Sequence, residues 1–250
     1  MPGAYVEGTG EHRTSVTGLV PHSWLNALGI PPWVWGPLSV SLHAALEATL
    51  VVAVVGCALG FLLAKGSFPG RGAIETVFSL PMALPPTVVG WYLLTQLGGP
   101  GPIRSAEVSL FGHPLTFTFT GIVVAQVVES FPYCLRFSRA AISGVDPRFE
   151  QAARAMGLPQ WRIALFVTLP LARRGVVAGV VMAFGRALGD FGATMIVAGS
   201  VPMATTMPIA LYNAVFFGSH EQAMVLALVQ LAVAFAILFG VSRLGKVRPW

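Results

Sequence analysis

Five stretches of the chain are apolar over a length that crosses a bilayer, and polar or Pro/Gly-rich segments separate them. They cover about 38–64, 76–98, 115–138, 175–199 and 221–241. A spanning helix needs roughly 20 mainly apolar residues, so each stretch predicts a span. The second is interrupted by LPMALPP at 80–86. Proline inside a helix removes a ladder bond and frees a carbonyl. Pro81, Pro85, Pro86 and Pro132 therefore predict irregular second and third spans.

Residues 1–37 read differently. PHSWLNALGIPPWVWG is aromatic and Pro-rich, the pattern of an interfacial segment with Trp24, Trp33 and Trp35 at headgroup depth. A sixth span here is the alternative, and its prolines and weak hydrophobicity argue against it. The start of the chain has no basic stretch leading into an apolar run, so it does not read as an ordinary signal peptide.

Composition supports the membrane reading. Only 10% of the 250 residues are charged and 55% are hydrophobic, with mean hydropathy +0.74; soluble domains carry about 25% charged residues. The expected fold class is all-α: a polytopic transmembrane helical bundle of about five spans. The net charge of +5 could suggest nucleic acid, but the basic residues form no single patch. With the loops after spans one and three and the C-terminus on one side, that side holds twelve of the 15 Lys and Arg residues. Arg13 and Arg104 fall on the other, and Arg186 lies within span four. The positive-inside rule then makes the richer side cytoplasmic, with the N-terminus out and the C-terminus in. Cys57 and Cys134 sit in apolar segments with no Cys-x-x-Cys and read as buried free thiols.

One stretch does not fit a bilayer. EQAARAMGLPQWRIALFVTLP, residues 150–170, is charged and broken by Gly-Leu-Pro. Asp146-Pro147 is a helix start, Asp as N-cap and Pro at the first helical position. Phe149, Ala152, Ala153 and Met156 follow at helical spacing and give one apolar face. Gly157 ends this helix. Pro159 opens a second with the stripe Trp161, Ala164, Leu165 and Thr168, and Pro170 is expected to close it. Spacing alone leaves two readings: a packed connector, or a docking surface for a cytoplasmic partner.

The same stretch resembles the coupling loop of ABC importer permeases. That pattern is Glu-Ala-Ala, three residues, Gly, nine residues, an aliphatic, one residue, Leu-Pro. Here Gln151-Ala152-Ala153 fills the triplet, followed by Gly157, Val167 and Leu169-Pro170. Gln151 departs from the pattern, with Glu150 just before it. FPGRGAIETVFSLPMALPPTVVGWYLL and GRALGDFGATMIVAGSVPMATTMPIALY extend the likeness to molybdate permeases, over about 38–245. Sulfate permeases are similar but tend to differ around Gly189–Thr194.

The resemblance implies a type I ABC importer permease fold: a 1–37 extracytoplasmic segment, a 38–245 permease domain with coupling loop 143–172, and a 246–250 cytoplasmic tail. It implies a multi-pass protein of a bacterial or archaeal inner membrane. The implied partners are a second copy, two ATP-binding cassette subunits and an extracytoplasmic oxyanion-binding protein. ATP and Mg belong to the partner subunit, and no cofactor or catalytic residue to this chain. The residues it assigns to coupling are Glu150, Gln151, Ala152, Ala153, Gly157, Leu169 and Pro170.

Ionisable residues within spans are costly and usually paired. Arg186 and Asp190, four apart, share a helix face, with Glu129 as a third partner. Their readings are a structural pair or a cation lending positive potential to an anion pathway, with Thr194, Thr205 and Thr206 as further candidates. Pro202 to Tyr212 is expected to re-enter or lie flat on the outer side. His43 and Glu47 supply only two ligands, too few for a metal site. Three Gly-x-x-x-Gly patterns (Gly56–Gly60, Gly175–Gly179, Gly185–Gly189) permit close helix approach. No phosphate-cradling Gly-x4-Gly-Lys-Ser/Thr exists.

Overall fold

The computed structural model of the chain describes residues 31–199 and 205–244. Trp24, most of the 1–37 segment, Pro202 and the 246–250 tail lie outside the described residues. A 3-10 turn, Pro32–Val34, leads into α1, Trp35–Lys65. Then follow α2, Arg71–Ala83; α3, Pro86–Gly98; α4, Pro102–Phe111; and α5, Phe119–Ser143. Next come α6, Pro147–Ala155; α7, Gln160–Ile163; a π turn, Ala164–Thr168; and α8, Leu169–Leu188. The described chain ends with α9, Gly192–Ala198; α10, Met207–Phe217; and α11, His220–Leu244.

Three stretches combine spanning length with an apolar composition: Pro32–Lys65, Gln160–Leu188 and His220–Ile237. The pair α2 and α3 is a fourth when counted together, bent by 111°. The bend sits at Leu84-Pro85, where Pro85 is extended and Pro86 starts α3. Helix α5 has 25 residues, about 37 Å at the helical rise. It buries Gln126, Glu129, Ser130 and Ser138, because α1 and α8 flank it and shield its polar groups from lipid.

Helix α5 is the axis of the bundle, and α1 and α8 grip it through glycines. A Cβ at Gly60 would stand 3.1 Å from Ser138 Cβ and 3.2 Å from the Arg139 backbone nitrogen; one at Gly56 would stand 3.2 Å from Cys134 Sγ. A Cβ at Gly179 would come within 2.7 Å of Phe137 Cβ, and one at Gly175 would collide with Ala141. Two of the three Gly-x-x-x-Gly patterns are thus helix contacts within one chain. Lipid supplies no hydrophobic drive between helices, so contact of this closeness is what holds them. The outward faces carry Leu50, Val54, Leu231 and Phe235, all exposed, as a bilayer requires.

Four expectations change. Pro170 does not close a helix. Gln160–Leu188 is one continuous rod, and Leu169 N–H donates to Ala164 O, a π-type bond, just before the proline. The wider turn absorbs the missing donor and the ring that would otherwise break the helix. The fourth span therefore begins well before 175 and ends at Leu188, followed by a break and the short α9. Helix α5 runs unbroken through Pro132, so proline there costs a bond without making the span irregular. Helix α4 is an added element between the second and third spans, where Glu107 is buried and accepts from Leu115 N–H at 2.8 Å.

The glycine contacts give a direct test. Gly179→Ala is expected to lower the unfolding midpoint in detergent, by a cost of about 1–3 kcal/mol from overpacking. Gly185→Ala, where a Cβ meets nothing within 4 Å, is expected to leave it unchanged or raise it.

Candidate functional site

Two polar assemblies stand out from the apolar bundle. The first is the hairpin of α6, α7 and the π turn. Asp146 Oδ1 accepts Arg148 N–H at 2.9 Å, and Pro147 occupies the first helical position. At the other end Leu158 N–H donates to Ala153 O at 3.2 Å and Gly157 N–H to Arg154 O at 2.9 Å. This double closure needs a left-handed residue, and Gly157 supplies it with φ +79°. The hairpin turn is thus set by the sequence Gly-Leu-Pro.

Glu150 points inward. Its Oε1 accepts from Lys65 Nζ at 2.8 Å and from Thr168 Oγ1 at 2.7 Å. One carboxylate therefore ties α6 to the last residue of α1 and to the π turn. Burial pushes the Glu150 carboxyl upward, but hydrogen bonds from Lys65 and Thr168 and the charges of Lys65 and Arg154 outweigh it. They hold it below the ordinary carboxylate value of 4.5. Ala153 is buried beside it, while Gln151 and Ala152 are exposed. Phe149, Met156 and Trp161 are 55%, 73% and 57% exposed. The expected apolar stripe of α6 is thus split, with Ala153 turned inward and Phe149 and Met156 outward. The hairpin presents an apolar ridge to the outside. Leu169 is half-buried and Pro170 exposed at the start of α8.

The second assembly lies between α5, α8 and α9. Arg186 donates to Glu129 Oε2 at 2.5 Å and to Asp190 Oδ1 at 3.3 Å. Asp190 Oδ2 accepts from Thr194 N–H at 3.0 Å and Thr194 Oγ1 at 2.5 Å. Glu129, Asp190 and Thr194 are all buried. Arg186, Asp190 and Glu129, named together from the sequence, do meet, and of the three threonine candidates Thr194 joins them. Asp190, however, is not on the helix of Arg186; it follows the break and caps α9. Arg186 is not a free cation either, since two carboxylates share it. With all three ionised the trio sums to −1, so its geometry is that of a structural clamp. Glu129 Oε1 is buried without a partner.

Thr206 stands apart from this trio. It precedes α10, whose Met207 N–H donates to Ser41 Oγ of α1 at 2.7 Å. Thr206 is buried with no partner for its hydroxyl, and Thr205 is half-buried. Nδ1 of His43 lies 2.9 Å from Ser39 O, an intrahelical contact. Among the described residues no cluster of three metal-ligating side chains occurs. Lys65 and Thr168 escaped the sequence reading as partners of Glu150. They lie 85 and 18 residues away from it, and nothing in their local pattern marks them.

Comparison with known proteins gives a consistent result. Residues 56–244 match the family described as binding-protein-dependent transport system inner membrane component. The molybdenum transport system permease protein ModB of Escherichia coli (strain K12) is 37% identical over 215 residues, covering 85% of this chain and 94% of that protein. ModB of Haemophilus influenzae is 35% identical over 187 residues, with 74% and 82% covered. The sulfate transport system permease protein CysT of Escherichia coli (strain K12) is 29% identical over 214 residues, with 85% and 77% covered. In fold, the chain superimposes with a TM-score of 0.67 on a bacterial ABC transporter involved in the import of the acidic polysaccharide alginate, at 15% identity, with 92% and 85% covered.

Both assemblies generate tests. Arg186→Gln would leave Glu129 and Asp190 buried without their cation. It is expected to destabilise the protein by about 3–5 kcal/mol, read as a lowered unfolding midpoint in detergent. Glu150 is held below its ordinary value, so its contribution is complete above that value and fades as pH falls through the depressed one. Glu150→Gln is expected to raise protease cleavage at Arg154 at pH 7, since the charged bonds are worth about 1–3 kcal/mol. The difference between variant and parent should begin to shrink near pH 4.5 and vanish only in acid below the depressed value.

Proposed function

We propose, for a chain that belongs to the family of binding-protein-dependent transport system inner membrane components, that it is the permease of an ATP-driven importer of molybdate. The observation that carries the reading is the hairpin. A rigid, internally anchored pair of short helices holds Phe149, Met156 and Trp161 outward, the form of a surface built for another protein. The family is one of transport permeases, and ATP chemistry belongs to a separate subunit.

In this reading two ATP-binding cassette subunits, carrying ATP and Mg, dock on the hairpins of two copies of the chain. Their closure moves α6 and α7. The Lys65–Glu150–Thr168 junction passes that motion to α1 and α8 together, because one carboxylate holds both. The bundle turns outward and receives the oxyanion from an extracytoplasmic binding protein; hydrolysis turns it inward. The Lys and Arg asymmetry supports an N-terminus outside and a C-terminus in the cytoplasm, in a bacterial or archaeal inner membrane. Nucleic acid plays no part. Molybdate is favoured because, within one organism, the molybdenum permease is nearer to this chain than the sulfate permease, 37% against 29%. Tungstate, nearly isosteric, shares the reading.

Reconstitution of the permease with its ATP-binding subunits tests this. Binding protein loaded with molybdate is expected to stimulate ATP hydrolysis and uptake into proteoliposomes; no stimulation in an assembled complex refutes the importer. Gly157→Val forces a β-branched side chain onto a left-handed residue in the hairpin, a strain of about 1–3 kcal/mol, beside the docking ridge. Uptake is expected to fall at least tenfold, by about 1.4 kcal/mol or more of lost coupling. Gly157→Asn, which tolerates this backbone, should retain most of it.

A further inference from the structure

The face of α5 that carries Glu129 continues with Tyr133, Arg136 and Ser143 at helical spacing. Arg136 lies seven residues from Glu129 and seven from Ser143, about 10 Å each way. Tyr133, Arg136, Arg139 and Ser143 line a cavity of about 580 Å³ together with Glu75 and Met82 of α2. Arg139 is ion-paired to Glu75. Arg136 has no such partner among the described residues: its Nη1 reaches Met82 Sδ at 3.7 Å, and a thioether is a weak acceptor. The cavity thus holds one uncompensated positive charge.

We propose that this cavity is an oxyanion subsite on the cytoplasmic side of the pathway. It takes a tetrahedral dianion on the Arg136 guanidinium, with the hydroxyl of Tyr133, three residues before it on the helix, as a further donor. The inference rests on the importer reading and on the orientation that goes with it. In the Arg186 trio the guanidinium is already held by two carboxylates. Arg136, two turns further along the same helix face, attracts a dianion. Guanidinium presents paired donors that match a tetrahedral oxyanion. Import of a dianion also runs against an inside-negative potential, and a cation near the inner end lowers that barrier. The phosphate of an anionic lipid shares this chemistry, so the test separates the two sources.

The permease, assembled with its ATP-binding subunits, is placed in vesicles of phosphatidylcholine alone or with phosphatidylglycerol. Molybdate taken up and ATP hydrolysed are measured with loaded binding protein. For Arg136→Gln the expected uptake per ATP falls about tenfold in both lipids while hydrolysis stays within about twofold, the loss of a charged hydrogen-bonding group. Arg136→Lys, which keeps the charge, is expected to recover most of the ratio. An unchanged ratio overturns the site. So does a loss confined to vesicles with phosphatidylglycerol, which assigns the cavity to lipid. A parallel fall of hydrolysis and uptake assigns Arg136 to the scaffold. Should Arg136→Gln not assemble, Tyr133→Phe decides: a ratio down about threefold, one neutral hydrogen bond, sustains the site, and an unchanged ratio overturns it. If the parent complex takes up neither molybdate, tungstate nor sulfate, the importer reading fails first, and that failure is visible before any variant is made.

Discussion

A guanidinium between two buried carboxylates sets the inner geometry of this bundle. Arg186 must be paired where it sits, because an unpaired charge within a span is costly. Pairing it with Glu129 fixes α5 against α8. Pairing it with Asp190, just past the end of α8, fixes the chain as it turns into α9. Asp190 then spends its other oxygen on Thr194. The break at Gly189 is thereby held by charges on both sides, and α9 begins where Asp190 can accept one of its free N–H groups, that of Thr194.

Close packing does the rest, and it is made by absence. Gly56 and Gly60 on α1 and Gly175 and Gly179 on α8 leave room for the backbone of α5. Two polar side chains of α1 close on their own helix: Ser39 donates to Gly36 O and Thr49 to Ala45 O. With those bonds closed, neither hydroxyl needs a partner from another helix. The polar groups that remain are concentrated on α5, which its neighbours shield.

Much of this was legible in the sequence, for a physical reason. Span length and turn chemistry are local, so the five apolar stretches, the Asp146-Pro147 start and the Gly157 stop could be read residue by residue. The grouping of Arg186, Asp190 and Glu129 followed from the cost of charge in lipid. What sequence missed was non-local or compensated. The tie of Glu150 to Lys65 depends on two elements 85 residues apart. Pro170 was read as a stop because proline alone argues for one; the π turn that rescues it lies in the five residues before. Arg136 was read only as one of many basic residues flanking the spans, since nothing local shows that Arg139 has a partner and Arg136 does not.

The π turn has one more consequence. Each residue of an α-helix advances the azimuth by about 100°, so a turn holding an extra residue rotates all that precedes it relative to all that follows. The outward direction of Trp161, and of the hairpin behind it, is therefore set against α8 by a count of residues between Ala164 and Thr168. Apart from Thr168, which holds Glu150, the side chains of that segment do not set this aim. Its length does: deleting one residue would swing the ridge about a quarter turn around the axis of the helix that carries it.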